Sequence, residues 1–171
     1  RVGEEGQGWT VAKYLLEHER VDNAGIGVTR QALLRLKAIA GEELSDDAPL
    51  AEDPLFHARI AAVEAQLMSL EATALRVLSE VAAGGSPGPA SSLLKIRGTE
   101  IAQRISELAM EATGWRGLPR IEDAPGRNAA PDGRGAAATS AADYIFRRCM
   151  SIYGGSNEIQ RNIIAKRMLG M

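Results

Sequence analysis

The chain has 171 residues, 45% apolar and 25% charged, which are the proportions of one ordinary globular domain. With 20 basic and 22 acidic side chains the net charge is −2, which excludes a nucleic-acid or anionic-membrane binder working through bulk positive charge. No apolar run reaches the roughly 18–20 residues that span a bilayer, and the single cysteine, Cys149, excludes an internal disulfide.

A single cysteine suits a reducing cytoplasm, which is the expected location, and a chain that opens at Arg1 without the charged or apolar part of a secretory signal reads as a piece of something longer. Aromatics are 4% of residues while alanines number 28, and small side chains let helices approach closely. Residues 1–9 read as a linker, because Gly3-x-x-Gly-x-Gly8 follows no strand and lacks the Lys-Ser/Thr of a phosphate loop. A first helix is predicted from Thr10 to about Ala40, with Val28, Ala32, Leu36 and Ile39 on one stripe and Gly41 as its stop.

An acidic, proline-containing linker then leads to Asp53-Pro54, the clearest helix start in the chain: Asp53 can cap, and Pro54 fits the first helical position. The stripe that follows is Ile60, Val63, Leu67, Leu70, Ala74, Val77 and Val81, the spacing of a bundle seam. Gly84-Gly-Ser-Pro-Gly-Pro89 ends this helix. Ser91 or Ser92 can cap a third, which carries Leu94, Gly98, Ile101, Ile105, Leu108 and Ala112 and stops at Gly114.

Residues 115–139 lack periodicity and read as a long exposed loop. Ser140 and Asp143 resemble a capping box for a fourth helix, with Ala142, Ile145, Cys149 and Ile152 on one face. Gly154-Gly155 interrupts that pattern, and Ser156 can cap a short fifth helix carrying Ile159, Ile163 and Ile164. The predicted fold is therefore all-α: an antiparallel up-down four-helix bundle with a short extra C-terminal helix, spanning 10–171. A metal site is not expected. The bundle carboxylate-metal pattern needs Glu-x-x-His on two helices, and the two histidines, His18 and His57, fall on different helices without it.

The corner at 152–161 carries the strongest functional signal, since two glycines permit a sharp turn and a close backbone approach, and a helix N-terminus favours an anion. Tyr153-Gly-Gly-Ser-Asn-Glu-Ile-Gln-Arg-Asn-Ile-Ile-Ala-Lys-Arg167 closely resembles the C-terminal signature of the acyl-CoA dehydrogenases. Val2-Gly-Glu-Glu-Gly-Gln-Gly-Trp9 resembles the stretch leading from their β-domain into their C-terminal helical domain, and Glu111-Ala-Thr-Gly114 fits the intervening helix.

The resemblance implies the last of three parts of an FAD-dependent enzyme, the other two being an N-terminal helical domain and a β-domain. Subunits of such enzymes assemble through this bundle, as homo- or hetero-oligomers, and an electron-transfer flavoprotein is the expected partner. It implies removal of the α-proton of an acyl-CoA thioester by a carboxylate while the β-hydrogen leaves as hydride. By the same resemblance Glu111, Gly114, Gly155, Ser156, Asn157 and Glu158 line the cofactor, while His18, Arg20, Tyr153 and Gly154 line the acyl-CoA pocket.

Many members place the base directly after the signature tyrosine, where this chain has Gly154. Isovaleryl-type and long-chain members carry it on the first helix of this domain immediately before an arginine, and Glu19-Arg20 in Leu15-Leu-Glu-His-Glu-Arg20 matches that place. Glu19 is thus the expected catalytic base; Glu17, two residues away, points elsewhere on a helix. The family usually has Gln where Glu111 stands, so this carboxylate should be protonated or turned away from a pyrophosphate. The family's Arg-x-x-Phe-Gly, whose arginine meets the flavin pyrophosphate of the adjoining subunit, is replaced here by Arg35-Leu-Lys-Ala-Ile-Ala-Gly41. Two other classes follow from these departures: a non-catalytic subunit of a mixed assembly, and a cofactor-free oligomerisation module. Cys149 is read as core packing, His57 as exposed, and Arg147, Arg148, Arg161, Lys166 and Arg167 as a solvated face.

Overall fold

The computed structural model describes residues 2–22, 24–118 and 139–171, and of 17–22 it describes the backbone course alone. Among the described residues there are six α-helices and one two-stranded hairpin, so the chain is helical as expected. The helices are α1 (Gly8–Asp22), α2 (Ile26–Glu42), α3 (Pro54–Ala82), α4 (Ala90–Thr113), α5 (Ser140–Arg147) and α6 (Asn157–Met168). No helix among them is long and apolar enough to cross a membrane.

The single first helix predicted from Thr10 to Ala40 is two. Gly25 adopts φ +56, in the left-handed region that ends a right-handed helix, and α2 starts afresh at Ile26. The break changes which residues of α2 are covered: Thr29, Leu33, Leu36, Ile39 and Ala40 are buried, while Val28 is 65% exposed. The linker after α2 contains a hairpin, β1 (Leu44–Ser45) pairing antiparallel with β2 (Ala48–Pro49). Asp46 and Asp47, at φ +51 and +66, form its two-residue turn, which needs two left-handed residues in succession.

Asp53 caps α3 as its sequence implies, its Oδ1 accepting from the Phe56 N–H at 2.7 Å. On α3 the stripe Ile60, Val63, Leu67, Leu70, Ala74 and Val77 is buried, and so is the whole α4 stripe Leu94, Gly98, Ile101, Ile105, Leu108 and Ala112. Neither Ser91 nor Ser92 is the cap of α4. The helix starts at Ala90, both serines are buried inside it, and the Ser91 hydroxyl donates back to the Gly88 carbonyl at 2.7 Å. Gly114, at φ +50, ends α4 and opens a 3₁₀ turn to Gly117; the rest of the expected loop, 119–138, lies outside the described residues.

The expected capping box at Ser140 does not form: Thr139 is the N-cap of α5 without a side-chain bond to the helix backbone, and the Asp143 carboxylate accepts from Thr139 Oγ1 at 3.4 Å and meets Arg35 at 3.4 Å. Nor is the expected apolar face of this helix covered, since Ile145 and Ile152 are 69% and 66% exposed. With α5 only eight residues long and a 3₁₀ turn over Arg148–Ser151, the spacing that aligned them on paper is lost. Cys149 is half-buried rather than core, its thiol donating to the Phe146 carbonyl at 2.8 Å.

Two compact units are distinguished. The first comprises Arg1–Ile26, Met68–Glu100 and Ser151–Met171, with Ala24, Leu70, Ala74, Val77, Leu94 and Ile96 among its buried side chains. Here Gly98 is required by close approach, because a Cβ at this position would stand 2.6 Å from the Ala24 carbonyl oxygen. The second comprises Gly27–Leu67 and Ile101–Met150, with a core that includes Leu36, Phe56, Ile60, Ile105 and Leu108.

Candidate functional site

The glycine corner belongs to the first unit. Gly154 and Gly155 take φ +62 and +85, conformations that L side chains seldom adopt, and reverse the chain ahead of α6. Ser156 then caps α6, its Oγ accepting from the Ile159 N–H at 3.4 Å. Beneath the turn lies Gln160, fully buried, whose Nε2 donates to the carbonyls of Gly154 at 3.0 Å and Gly155 at 3.3 Å. A Cβ on Gly155 would come within 2.9 Å of that same nitrogen.

Asn157 is buried at the first position of α6, and its side chain is committed inward. Its Oδ1 accepts from Lys95 Nζ at 2.8 Å, and its Nδ2 donates to Thr99 Oγ1 at 3.2 Å. Lys95 Nζ also donates to the Ser151 carbonyl at 3.1 Å. Desolvation by burial pushes the Lys95 ammonium below the ordinary lysine range, an effect that the nearby Glu158 carboxylate opposes.

On the open side, Tyr153 is 56% exposed and Glu158 points to solvent. The Glu158 carboxyl lies below its ordinary range, first through its own backbone N–H and then through the Ser156 hydroxyl, with Arg161 and Lys95 adding attraction. It is therefore an anion at neutral pH. The helix N-terminus and the Lys95 ammonium are positive, and the Glu158 carboxylate already stands against them at the corner.

In the second unit the other predicted residues stand near the end of α4. Glu111 is ion-paired with Arg59, so its carboxylate is turned to a cation of its own unit. A Cβ on Gly114 would meet nothing within 4 Å, Trp115 beside it is 79% exposed, and Arg116 pairs with Glu43 at 2.9 Å. A cleft of about 380 Å³ also lies in this unit, lined in part by Arg35, Leu36, Ile39, Ile105, Ser140 and Asp143; none of the predicted site residues lines it. No group of metal-ligating side chains is assembled among the described residues.

The chain segments carrying Glu19 and the glycine corner fall in the same unit. The side chains of Glu17, His18, Glu19 and Arg20, however, lie outside the described residues. Sequence reasoning missed Lys95, Thr99 and Gln160. A signal existed for Lys95, which sits four residues after the buried Ser91 and three before Gly98 on an otherwise uncharged stripe.

The family described as acyl-CoA dehydrogenase, C-terminal domain, matches residues 6–169. This chain belongs to that family. It is 33% identical over 171 residues to the acyl-CoA dehydrogenase IpdE1 of Mycobacterium tuberculosis, covering 99% of this chain and 40% of that protein. The acyl-CoA dehydrogenase FadE26 of the same organism is 29% identical over 184 aligned positions, covering all of this chain and 42% of its own length. The chain thus spans about two-fifths of the length of these relatives. Among solved structures, an acyl-CoA dehydrogenase from Geobacillus kaustophilus superimposes with a TM-score of 0.79 at 24% identity, over 99% of this chain and 40% of that one. PigA with FAD and proline has a TM-score of 0.78 at 19% identity over 99% and 40%, a likeness of fold.

Proposed function

We propose that this acyl-CoA dehydrogenase C-terminal domain serves, in a longer polypeptide, the FAD-dependent α,β-dehydrogenation of an acyl-CoA thioester. The observation that carries the reading is the corner at Gly154–Gly155: a sharply turned backbone at a capped helix N-terminus, within the unit that also holds the Glu19 segment. The two φ-positive glycines, Gly154 and Gly155, fit a large planar or phosphorylated group brought close to backbone.

FAD, when bound, supplies the acceptor for two electrons and the β-hydrogen. The chain's own residues do the rest. Glu19 takes the α-proton onto its carboxylate, the electron pair left behind forming the new double bond, while Arg20, His18, Tyr153 and Gly154 line the thioester. An acyl chain that excludes water from Glu19 raises its basicity toward the working pH. Ser156, Asn157 and Gly155 hold the corner against the cofactor. Glu158, being anionic, suits the amine and hydroxyl donors at the adenosine end better than the pyrophosphate. An up-down four-helix arrangement for the bundle, assembly of subunits through it, a cytoplasmic location and an electron-transfer flavoprotein as oxidant complete the proposal.

The test is turnover by the complete polypeptide. Glu19→Gln should cut kcat by roughly 10²–10⁴-fold, the usual contribution of a positioned base; an unchanged rate removes Glu19 from the mechanism. A complete protein that purifies without flavin absorbance defeats the cofactor-dependent reading and leaves the oligomerisation module.

One observation favours a second reading, a subunit that supplies half of each cofactor site in a mixed assembly. Glu111 is engaged by Arg59, and Arg35, in the stretch where the family's flavin-contacting arginine falls, meets Asp143 at 3.4 Å. Both groups are thereby directed to protein partners. A native assembly holding one FAD per chain rejects this reading, and one FAD per two chains supports it.

A further inference from the structure

Lys95 is a costly residue for its place. It is 1% exposed, and an ammonium taken out of water needs full compensation. Among the described residues its hydrogen-bond partners are two neutral acceptors, the Ser151 carbonyl and Asn157 Oδ1, and the Glu158 carboxylate attracts it without a direct ion pair. A methionine would fill the same volume without the desolvation cost.

The position of those acceptors explains the charge. Ser151 precedes the glycine corner and Asn157 follows it, so one ammonium ties together both sides of the turn. Gln160 completes the arrangement from within α6 by taking the Gly154 and Gly155 carbonyls. The corner is flexible by composition, yet each of these acceptors is drawn to a buried donor. Thr99 holds Asn157 from its other atom, so that the side chain cannot rotate away from Lys95 without losing both bonds.

We infer that Lys95 is a positioning residue: together with Gln160 it fixes the Gly154–Gly155 corner in its ligand-ready shape and places a positive charge beneath the face that receives the cofactor. This rests on the functional reading above, in which that corner lines FAD. A purely structural lysine would contribute to folding alone; a positioning lysine sets affinity at the corner as well.

The experiment compares Lys95→Met with Val77→Ala in the complete flavoprotein, Val77 being a buried residue of the same unit that is not part of the site. The readouts are melting temperature, FAD dissociation constant by flavin fluorescence, and hydrogen exchange of the amides from 154 to 160. Lys95→Met should weaken FAD by roughly tenfold or more, as loss of hydrogen bonds from a charged donor predicts, and should speed exchange across the corner. Val77→Ala should lower the melting temperature without either effect. Equal FAD affinity and equal corner exchange in the two variants would overturn the inference. Should Lys95→Met fail to fold, Gln160→Met reads the same corner, and wild-type affinity and exchange in that variant overturn the inference too. A wild-type protein that binds no FAD sinks the functional reading; one that binds FAD while Lys95→Met is silent sinks this inference alone.

Discussion

Gln160 Nε2 donates to the Gly154 carbonyl at 3.0 Å from a side chain with no exposed surface, so the turn is held by a residue that no ligand can touch. The same nitrogen lies 2.9 Å from where a Cβ of Gly155 would be. Gly155→Ala therefore meets two obstacles, a φ of +85 and a contact with Gln160. The left-handed conformation alone costs roughly 1–2 kcal/mol. Urea unfolding should show at least that loss, and a variant as stable as the parent would mean that the corner had found another shape.

At Gly98 the obstacle is backbone. A Cβ there would lie 2.6 Å from the Ala24 carbonyl oxygen, which cannot swing aside as a side chain can. Gly98→Ala should destabilise by about 1–3 kcal/mol, the range for overfilled interiors, even though alanine is the better helix former. A stabilised Gly98→Ala protein in thermal melts would contradict the close approach.

Asp53 is a test of a local signal. Its carboxylate accepts from the Phe56 N–H at 2.7 Å, and Asp53→Ala should cost about 1 kcal/mol in denaturant titration. Asp53→Asn should restore most of the loss, because asparagine caps nearly as well.

Stability at acid pH is set in part by Glu107, whose carboxyl lies below its ordinary range through hydrogen bonds from Arg104 and then Arg148, against an opposing desolvation. A folded-state value below the unfolded one means that the unfolded chain binds more protons between the two. The contribution is thus complete above the ordinary 4.5 and disappears as pH falls through the folded value. The exposed Glu158 acts in the same direction. Lys95 differs: with its folded value depressed, stability gains as pH rises from that value toward 10.5. Between about pH 6 and about pH 3 the melting temperature of Glu107→Gln should fall less than that of the parent; parallel curves would remove Glu107 from the acid transition.

How far each element could be read depended on the range of the interactions behind it. The α3 start needs only Asp53, Pro54 and a backbone N–H three residues on, and the α3 and α4 stripes are fixed by a 3.6-residue period that any partner will respect. The break at Gly25 was hidden, because a glycine inside a helical pattern states only that a turn is permitted. The hairpin at Leu44–Pro49 escaped because four strand residues carry no alternation, although Asp46-Asp47 suits left-handed turns. For α5 no regular helical period runs through Arg148–Ser151, where the rise per residue changes and the face rotates.

At the candidate site, Gly154, Gly155 and Ser156 announce themselves, since a turn and a cap are made by neighbours in the chain. Lys95 does not, because its acceptors lie 56 and 62 residues further along. Residue order alone thus establishes that the chain is helical, where α3 starts, which stripes of α3 and α4 are buried and which motif ties the chain to its family, all of them matters of local geometry and side-chain chemistry. Folding in three dimensions settles which charges are buried, which glycines are tight and which carboxylates are already engaged, because desolvation and contact exist only between segments that the chain has brought together.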